Sequence, residues 1–148
     1  MPTISLTVQS PADVATTFTY MATWQNIPHW MYGLKSITPT TEITWGEGAT
    51  FDAVIYIGAK LRSTIMCSAF KENELFAIDG IKGIKNSSRW TFAERSDGGT
   101  DLHVDFTYDL GNGLAGAALS RLVEPVVAIA IRHATHKVVD ALRPLDGA

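Results

Sequence analysis

The chain has one cysteine, Cys67, among 148 residues. A single cysteine cannot close a disulfide within the chain, and unpaired thiols are typical of reducing compartments. The sequence also lacks the basic start and apolar run of a secretory signal, and no apolar run is long enough to cross a bilayer. These absences predict a cytoplasmic protein without an integral membrane segment.

Clustered positive charge is missing as well. The chain carries 12 Lys and Arg against 15 Asp and Glu, for a net charge of -3, and no basic run stands out. Nucleic-acid grooves need clustered Lys and Arg to release counterions from phosphates. We therefore predict no nucleic-acid partner. A protein partner is left open.

Motifs for catalysis and metal binding are equally scarce. There is no Gly-x-Ser-x-Gly elbow, and no pair of carboxylates stands in apolar surroundings. His133 and His136 could share a helix face, but a zinc site needs at least three converging ligands, and His103 falls in the solvent-facing register of its strand. Cys67 has no histidine beside it, which favours a small buried thiol over a nucleophile. We predict no catalytic residues, no metal and no cofactor.

What is present describes a folded domain. Apolar residues make up 46% and charged residues 18% of the chain, with four Trp, six Phe and four Tyr. A chain of this size buries roughly two thirds of its unfolded surface. The composition predicts a single domain over residues 1–148.

Seven strand-like segments occupy most of the chain, and short turns between them indicate an antiparallel meander. Ser10 and Pro11 read as the cap and first turn of a helix that ends near Trp24, and a second short helix carries Trp30. Apolar and polar residues alternate most strictly in the last strand. The even-numbered residues from Leu102 to Leu110 are expected on a covered face, and the odd-numbered residues from Asp101 to Asp109 on a solvent-exposed face. The predicted strands are Thr3–Gln9, Lys35–Thr44, Thr50–Ile57, Leu61–Phe70, Leu75–Ile81, Ser87–Arg95 and Asp101–Leu110.

One long apolar helix, Leu114–Leu142, closes the chain. Its first half carries a stripe that includes Leu119, Leu122 and Val126, and beyond Ile131 the stripe turns to Ala134, Val138, Ala141 and Leu142. Pro125 has no N–H for the carbonyl of Arg121, so the helix is expected to bend there. A single helix cannot fill the concave side of a curled seven-stranded sheet, and a cavity between helix and sheet is expected.

The segment Gly111–Gly116 matches the dinucleotide-binding motif Gly-x-Gly-x-x-Gly. That motif needs a parallel strand after its helix, ending near an acidic residue that holds the ribose. Here the helix closes the sequence, so we interpret the glycines as a flexible turn from strand to helix. A second, functional interpretation is that this segment and the loop Gly80–Asn86 together form a gate over the pocket.

Short pieces of the chain resemble the polyketide cyclase/dehydrase-like branch of the START-like (SRPBCC, helix-grip) superfamily. The resemblance spans nearly the whole chain and rests on the order of the pieces, none of which is specific alone. They are Ser10–Val14, Asn26–Gly33, Gly48–Phe51, Trp90–Phe92, Gly99–Leu102 and the closing helix. It implies an α+β helix-grip fold, in which a curved seven-stranded antiparallel sheet wraps around a long C-terminal helix, with two short helices between strands 1 and 2. It also implies a deep apolar pocket for lipids, sterols, quinones or aromatic polyketides.

Aromatic and aliphatic side chains on one register of the strands and on the helix stripe are the candidate lining of this pocket. Trp30, on the short second helix, is expected at the mouth if the family's arrangement holds, and Tyr108 offers a hydroxyl at depth. Arg62 and Arg89 are expected on the outer sheet face. The predicted ligand-binding residues are Trp30, Phe51, Ile55, Trp90, Phe92, Phe106, Tyr108, Leu119, Leu122, Val126 and Ile129.

Three functions are compatible with these features. The first is a domain that binds a small hydrophobic ligand without changing it, which we favour because no acid-base pair is evident. The second is an aromatase/cyclase-type enzyme that uses the same cavity to fold a polyketide chain. The third is a protein-interaction domain with a vestigial pocket, which predicts a filled core and an exposed apolar patch.

Overall fold

A computed structural model describes residues 3–31, 33–56, 60–83, 85–109, 129 and 131–142. Seven strands and three helices follow one another in the order the sequence predicts, with a 3-10 turn at Trp24–Asn26 between the first two helices. The elements are β1 Thr3–Ser10, α1 Val14–Ala22, α2 Ile27–Trp30, β2 Leu34–Pro39, β3 Thr50–Tyr56, β4 Lys60–Lys71, β5 Leu75–Lys82, β6 Lys85–Glu94, β7 Thr100–Asp109 and α3 over 131–142.

The strands form one curved antiparallel sheet in the order β1-β7-β6-β5-β4-β3-β2. Strands β2 to β7 are neighbours in sequence and in space, as a meander requires. The first strand pairs with the last, Thr3 opposite Thr107 through Ser10 opposite Thr100. Because β1 and β2 lie at opposite edges, the segment with α1 and α2 runs from one edge of the sheet to the other. The predicted α+β helix-grip architecture is confirmed.

The buried face of the sheet follows the predicted alternation on β7. Leu102 and Val104 are fully buried and Tyr108 is buried, whereas His103 and Asp105 remain partly exposed. Helix α3 contributes Ile131, Ala134 and Val138 to the same core. The predicted stripe is confirmed at Ala134 and Val138. Ala141 is exposed, however, and Thr135, which lies outside the predicted stripe, is fully buried. The Thr135 hydroxyl donates to the carbonyl of Arg132, 2.8 Å away, which satisfies it within the helix.

Helix α1 begins later than predicted. Asp13, not Ser10, is the N-cap, and its Oδ1 accepts a hydrogen bond of 2.7 Å from the backbone N–H of Thr16. Ser10 is the last residue of β1, and its buried hydroxyl lies 2.9 Å from that of Thr17. Both residue types cap helices well, so local sequence could not choose between them.

Two strand boundaries also differ. The predicted second strand continued to Thr44, but β2 ends at Pro39, whose ring removes a ladder donor. The predicted loop Gly80–Asn86 is mostly strand: Gly80 pairs with Ile65 and Asn86 with Tyr108. The predicted bounds of this loop are therefore wrong, and its role as a gate stays a prediction. The predicted gate partner Gly111–Gly116 and the first half of the C-terminal helix lie outside the described residues.

Candidate ligand-binding site

Helix α1 places an aromatic cluster under one end of the sheet. Phe18 is fully buried and meets Phe70, Phe76 and Phe92 edge to face, with ring centroids 5.1 to 5.8 Å apart. Trp45, from the segment between β2 and β3, covers the cluster from outside with its ring 5.2 Å from that of Phe70. Edge-to-face contacts of this kind stabilise beyond the area they bury.

A small cavity of about 30 Å³ lies beside this cluster. Its walls come from α1, α2, the segment before β3, and strands β3 to β5, and they are mainly apolar. The volume has room for roughly two water molecules, and an apolar lining favours a dry cavity. The lining residues are Met21, Ala22, Ile27, Thr44, Gly46, Ala49, Phe51, Ile65, Met66, Cys67, Phe70, Phe76 and Ile78.

The thiol of Cys67 belongs to this cavity wall. It donates a hydrogen bond of 3.3 Å to the carbonyl of Ala69, and burial raises its pKa to about 11. The backbone of Cys67 also pairs with the segment just before β3: its N–H donates to the carbonyl of Ala49 and its carbonyl accepts from the N–H of Gly48, both at 2.8 Å. The thiol is thus neutral at physiological pH, in line with the predicted inert cysteine.

The predicted aromatic residues of the sheet occupy its inner face. Phe51, Trp90, Phe92 and Tyr108 are buried, and Ile55 and Phe106 are partly buried against the same core. The rings of Phe106 and Tyr108 lie 5.9 Å apart along β7. Of these residues, Phe51 lines the small cavity. The site residues themselves stay a prediction.

Trp30 lies deeper than a residue at a pocket mouth. Its side chain is almost fully buried and meets Trp90 edge to face, with ring centroids 5.1 Å apart and an interplanar angle of 75°. Ile129, in contrast, is 63% exposed. Leu119, Leu122 and Val126 lie outside the described residues.

Sequence reasoning missed most of the small cavity's wall. Periodicity could not tell which face of the strand from 61 to 70 points inward, because both registers are mixed. The structure gives the reason: a bulge after Cys67 shifts the pairing, so that Cys67 faces Ile78 and Phe70 faces Phe76. One extra residue in a strand switches the face of all later side chains.

Two buried serines lie on the inner face of the sheet. Ser63 and Ser88 are buried on β4 and β6, and the Ser63 hydroxyl donates to the carbonyl of Lys82 at 3.1 Å. Arg62 and Arg89 are exposed on the outer face, as predicted. Across the described ranges, no three His, Cys, Asp or Glu side chains come together to hold a metal ion.

Comparison with known proteins gives the family. A sequence-family model described as polyketide cyclase/dehydrase and lipid transport matches residues 1–143. The chain belongs to this family. The resemblance drawn from the order of its short motifs is thereby confirmed. A comparison with curated protein sequences finds no match.

Solved structures with the same fold are distant in sequence. A protein from Thermus thermophilus has 14% identity and a TM-score of 0.79, with 95% of this chain and 97% of that chain covered. A START superfamily protein from Mycobacterium smegmatis has 16% identity and a TM-score of 0.74, with 95% and 99% covered. The di-domain ARO/CYC StfQ from the steffimycin biosynthetic pathway has 17% identity and a TM-score of 0.67, with 94% of this chain and 44% of that chain covered. At such identities the likeness establishes the fold alone.

No helix within the described residues is both long enough and apolar enough to cross a membrane. The exposed large apolar side chains of the described part are Ile43, Trp45, Tyr56, Ile81 and Ile129, which are spread over several elements and loops. Scattered apolar residues at a surface are ordinary in folded proteins.

Proposed function

We propose that this protein binds a small hydrophobic ligand between the inner face of its sheet and the C-terminal helix. The observation that carries the proposal is the aromatic inner face: Trp90, Phe92, Phe106 and Tyr108 stand on neighbouring strands, facing the side from which α3 joins the core. Ligand pockets combine such apolar walls with a few polar groups that fix orientation. The family, described by polyketide cyclase/dehydrase and lipid transport, supports this class of ligand.

Binding without chemistry is favoured over catalysis by the nature of the buried polar groups. Those within the described residues are Ser10, Thr17, Ser63, Ser88, Thr100 and Thr135, and the side chain of Tyr108 is buried as well. Hydroxyl groups of these types can orient a ligand through hydrogen bonds, and no histidine, carboxylate or cation is buried beside them in the described part of the chain. A cyclase needs a group that moves protons at the reacting carbons. The proposed role is therefore that of a carrier or sensor of the ligand.

The small cavity beside Phe18 does not hold the ligand in this proposal. Its 30 Å³ are far below the roughly 300–1,000 Å³ of ligand pockets. None of its lining residues belongs to α3. The ligand is placed instead against Phe106 and Tyr108, where β7 leads toward the C-terminal helix. Phe106 is partly buried and so has surface left for a contact.

The test is a titration of the labelled protein with fatty acids, sterols, quinones and polycyclic aromatics, followed by backbone amide NMR. We expect saturable shifts at Trp90, Phe106 and Tyr108 for at least one ligand class. Phe106→Glu places a charge on the inner face and is expected to abolish binding. Thr107→Glu is the matched control, because Thr107 points to the opposite face of the same strand.

Product analysis of the bound ligand separates binding from catalysis. Recovery of an unchanged ligand supports the binding function, and a cyclised or dehydrated product supports the aromatase/cyclase alternative. If no ligand class moves these amides, or if both glutamate variants behave alike, the proposed pocket is wrong.

A further inference from the structure

Two tryptophan side chains meet in the core without partners for their N–H groups. Trp30, on α2, and Trp90, on β6, are at least 98% buried. Their rings lie edge to face at 5.1 Å. The Nε1 atom of each is shielded from solvent and has no hydrogen-bond partner, and these two are the only such side-chain atoms identified in the described part of the chain.

Buried donors without acceptors are rare in native proteins, because the N–H loses its bond to water and receives nothing in return. An indole N–H can only donate, so it cannot be satisfied by a neighbouring donor. The surroundings offer little help: the ring of Phe76 stacks on that of Trp90 at 6.4 Å and 23°. Two unpartnered donors on rings that touch each other point to a place where an acceptor from outside the protein binds.

We propose that the N–H groups of Trp30 and Trp90 form the polar subsite of the ligand pocket and bind a neutral acceptor oxygen, such as the carbonyl of a ketone or quinone. This inference rests on the proposed function and narrows its ligand class. A carbonyl oxygen has two lone pairs and accepts from one indole or from both.

The subsite selects against carboxylates. A buried carboxylate needs a positive partner or several donors to offset its lost hydration. Apart from the two indoles, the buried polar side chains within the described residues carry hydroxyls, and no cation is among them. A neutral ketone needs only the hydrogen bonds that the indoles provide. Ketones and quinones are therefore expected to bind in preference to hydrocarbons of the same shape and to fatty-acid anions.

Matched probes test this selection. The pairs 9-fluorenone with fluorene, and 2-undecanone with undecane, each differ by one carbonyl group, and undecanoate supplies the anion. Indole N–H resonances of protein labelled with 15N-tryptophan are followed during each titration. Trp30→Phe and Trp90→Phe assign the two signals, and Trp24 and Trp45 serve as internal references within the same spectra.

We expect each ketone to bind about fivefold more tightly than its hydrocarbon, the size of one net hydrogen bond. The ketone also moves the Trp30 or Trp90 indole proton downfield, and the hydrocarbon does not. In Trp90→Phe or Trp30→Phe the ratio of ketone affinity to hydrocarbon affinity is expected to fall toward one, whatever happens to the two affinities themselves.

The two proposals fail separately. If hydrocarbons bind as tightly as ketones and the indole signals do not move, the pocket exists but the polar subsite is wrong, because internal water or a contact of one N–H with the other ring then satisfies the donors. If none of the compounds binds, the proposed function fails for these ligands and the subsite with it. The wild-type titrations decide this even if a tryptophan variant does not fold.

Discussion

The hydroxyl oxygens of Ser10 and Thr17 lie 2.9 Å apart in the core, where the end of β1 meets α1. Thr17 also contacts the hydroxyl of Thr100 at 3.5 Å, and Thr100 donates to the carbonyl of Ala12 at 2.9 Å. All three hydroxyl-bearing residues are buried. This hydroxyl network ties β1, α1 and the start of β7 together at the point where the chain leaves the sheet.

Removing the central hydroxyl is expected to destabilise the fold. Thr17→Val keeps the shape of the side chain but removes one hydrogen bond from each of its buried partners, at a cost of about 1–3 kcal/mol in the free energy of unfolding. Urea denaturation monitored by circular dichroism measures the change. Thr19→Val, at an exposed position of the same helix, is the control and is expected to change stability by less than about 0.5 kcal/mol. Equal effects of the two variants would show that the network contributes nothing.

The turn between β5 and β6 depends on glycine for two reasons. Gly83 has a φ of +91°, and a Cβ there would overlap the carbonyl oxygen of Arg62. Gly98 has a nearly identical φ of +89°, but a Cβ there meets nothing within 4 Å. The pair therefore separates backbone strain from steric overlap.

Gly98→Ala is expected to cost about 1–2 kcal/mol, the penalty for an L-residue in a left-handed conformation. Gly83→Ala adds the overlap with Arg62 and is expected to cost about 1–3 kcal/mol more than Gly98→Ala does. Denaturant titrations of both variants measure the difference. If the two alanines are equally destabilising, the turn moves away from Arg62 at no cost and the close approach is unimportant.

The meander of β2 to β7 and the inner face of β7 could be predicted from the sequence because each rests on a local signal, whereas the pairing of β1 with β7 joins distant parts of the chain. Asp97 and Gly98 mark the β6–β7 turn, where Asp97 accepts from the N–H of Gly99 at 2.9 Å. Strict alternation on β7 needs no knowledge of its neighbours. These features follow from the period of a strand and the chemistry of a turn.

The bulge on β4 and the indole pair could not be predicted in this way. The bulge after Cys67 depends on how β5 pairs with β4, which is a long-range property. The approach of Trp30 to Trp90 joins residues far apart in the chain through the packing of α2 against the sheet. Strand register assigned Trp90 to the pocket and the family resemblance assigned Trp30, but the lack of an acceptor for their N–H groups is visible only once their neighbours are known.

Cys67 is expected to react slowly with thiol reagents in the folded protein. Burial raises its pKa to about 11 from an ordinary value of 9.0, so the thiolate fraction near neutral pH is about 100-fold lower than in the unfolded chain. The rate with Ellman's reagent, measured from pH 7 to 10 with and without guanidinium, tests this. Cys67→Ala provides the blank. A folded-state rate close to the denatured rate at pH 7 would contradict a half-buried, neutral thiol.

The same pKa makes stability fall in alkali. The folded protein holds the thiol proton more tightly than the unfolded chain does, so this contribution is present below pH 9 and is lost as pH rises toward about 11. In Cys67→Ala that part of the alkaline loss is expected to disappear. Urea denaturation of both proteins at pH 8 and pH 10.5 measures it.

On the outer face of the sheet, Ser5 controls the acidity of Asp105. The Ser5 hydroxyl donates to Asp105 Oδ1 at 2.6 Å, which lowers the pKa of that carboxyl, and a weaker contribution comes from His103 at 3.0 Å. We expect Ser5→Ala to raise the Asp105 pKa toward its ordinary value, measured by 13C NMR of the carboxyl carbon. Thr7→Val is the control, because Thr7 contacts His103 Nδ1 at 2.6 Å, and a smaller shift is expected there.

A depressed carboxyl pKa in the folded state stabilises the protein above the pKa of the unfolded chain, and this contribution is lost as pH falls through the folded value. Acid unfolding below about pH 4 therefore includes protonation of Asp105. In Ser5→Ala the pKa of Asp105 in the folded protein lies closer to its value in the unfolded chain, so the variant has less stability to lose between pH 5 and pH 3. If the wild type and Ser5→Ala lose stability equally over that range, the hydrogen bond does not hold the proton off Asp105, and the acid sensitivity of the sheet has another source.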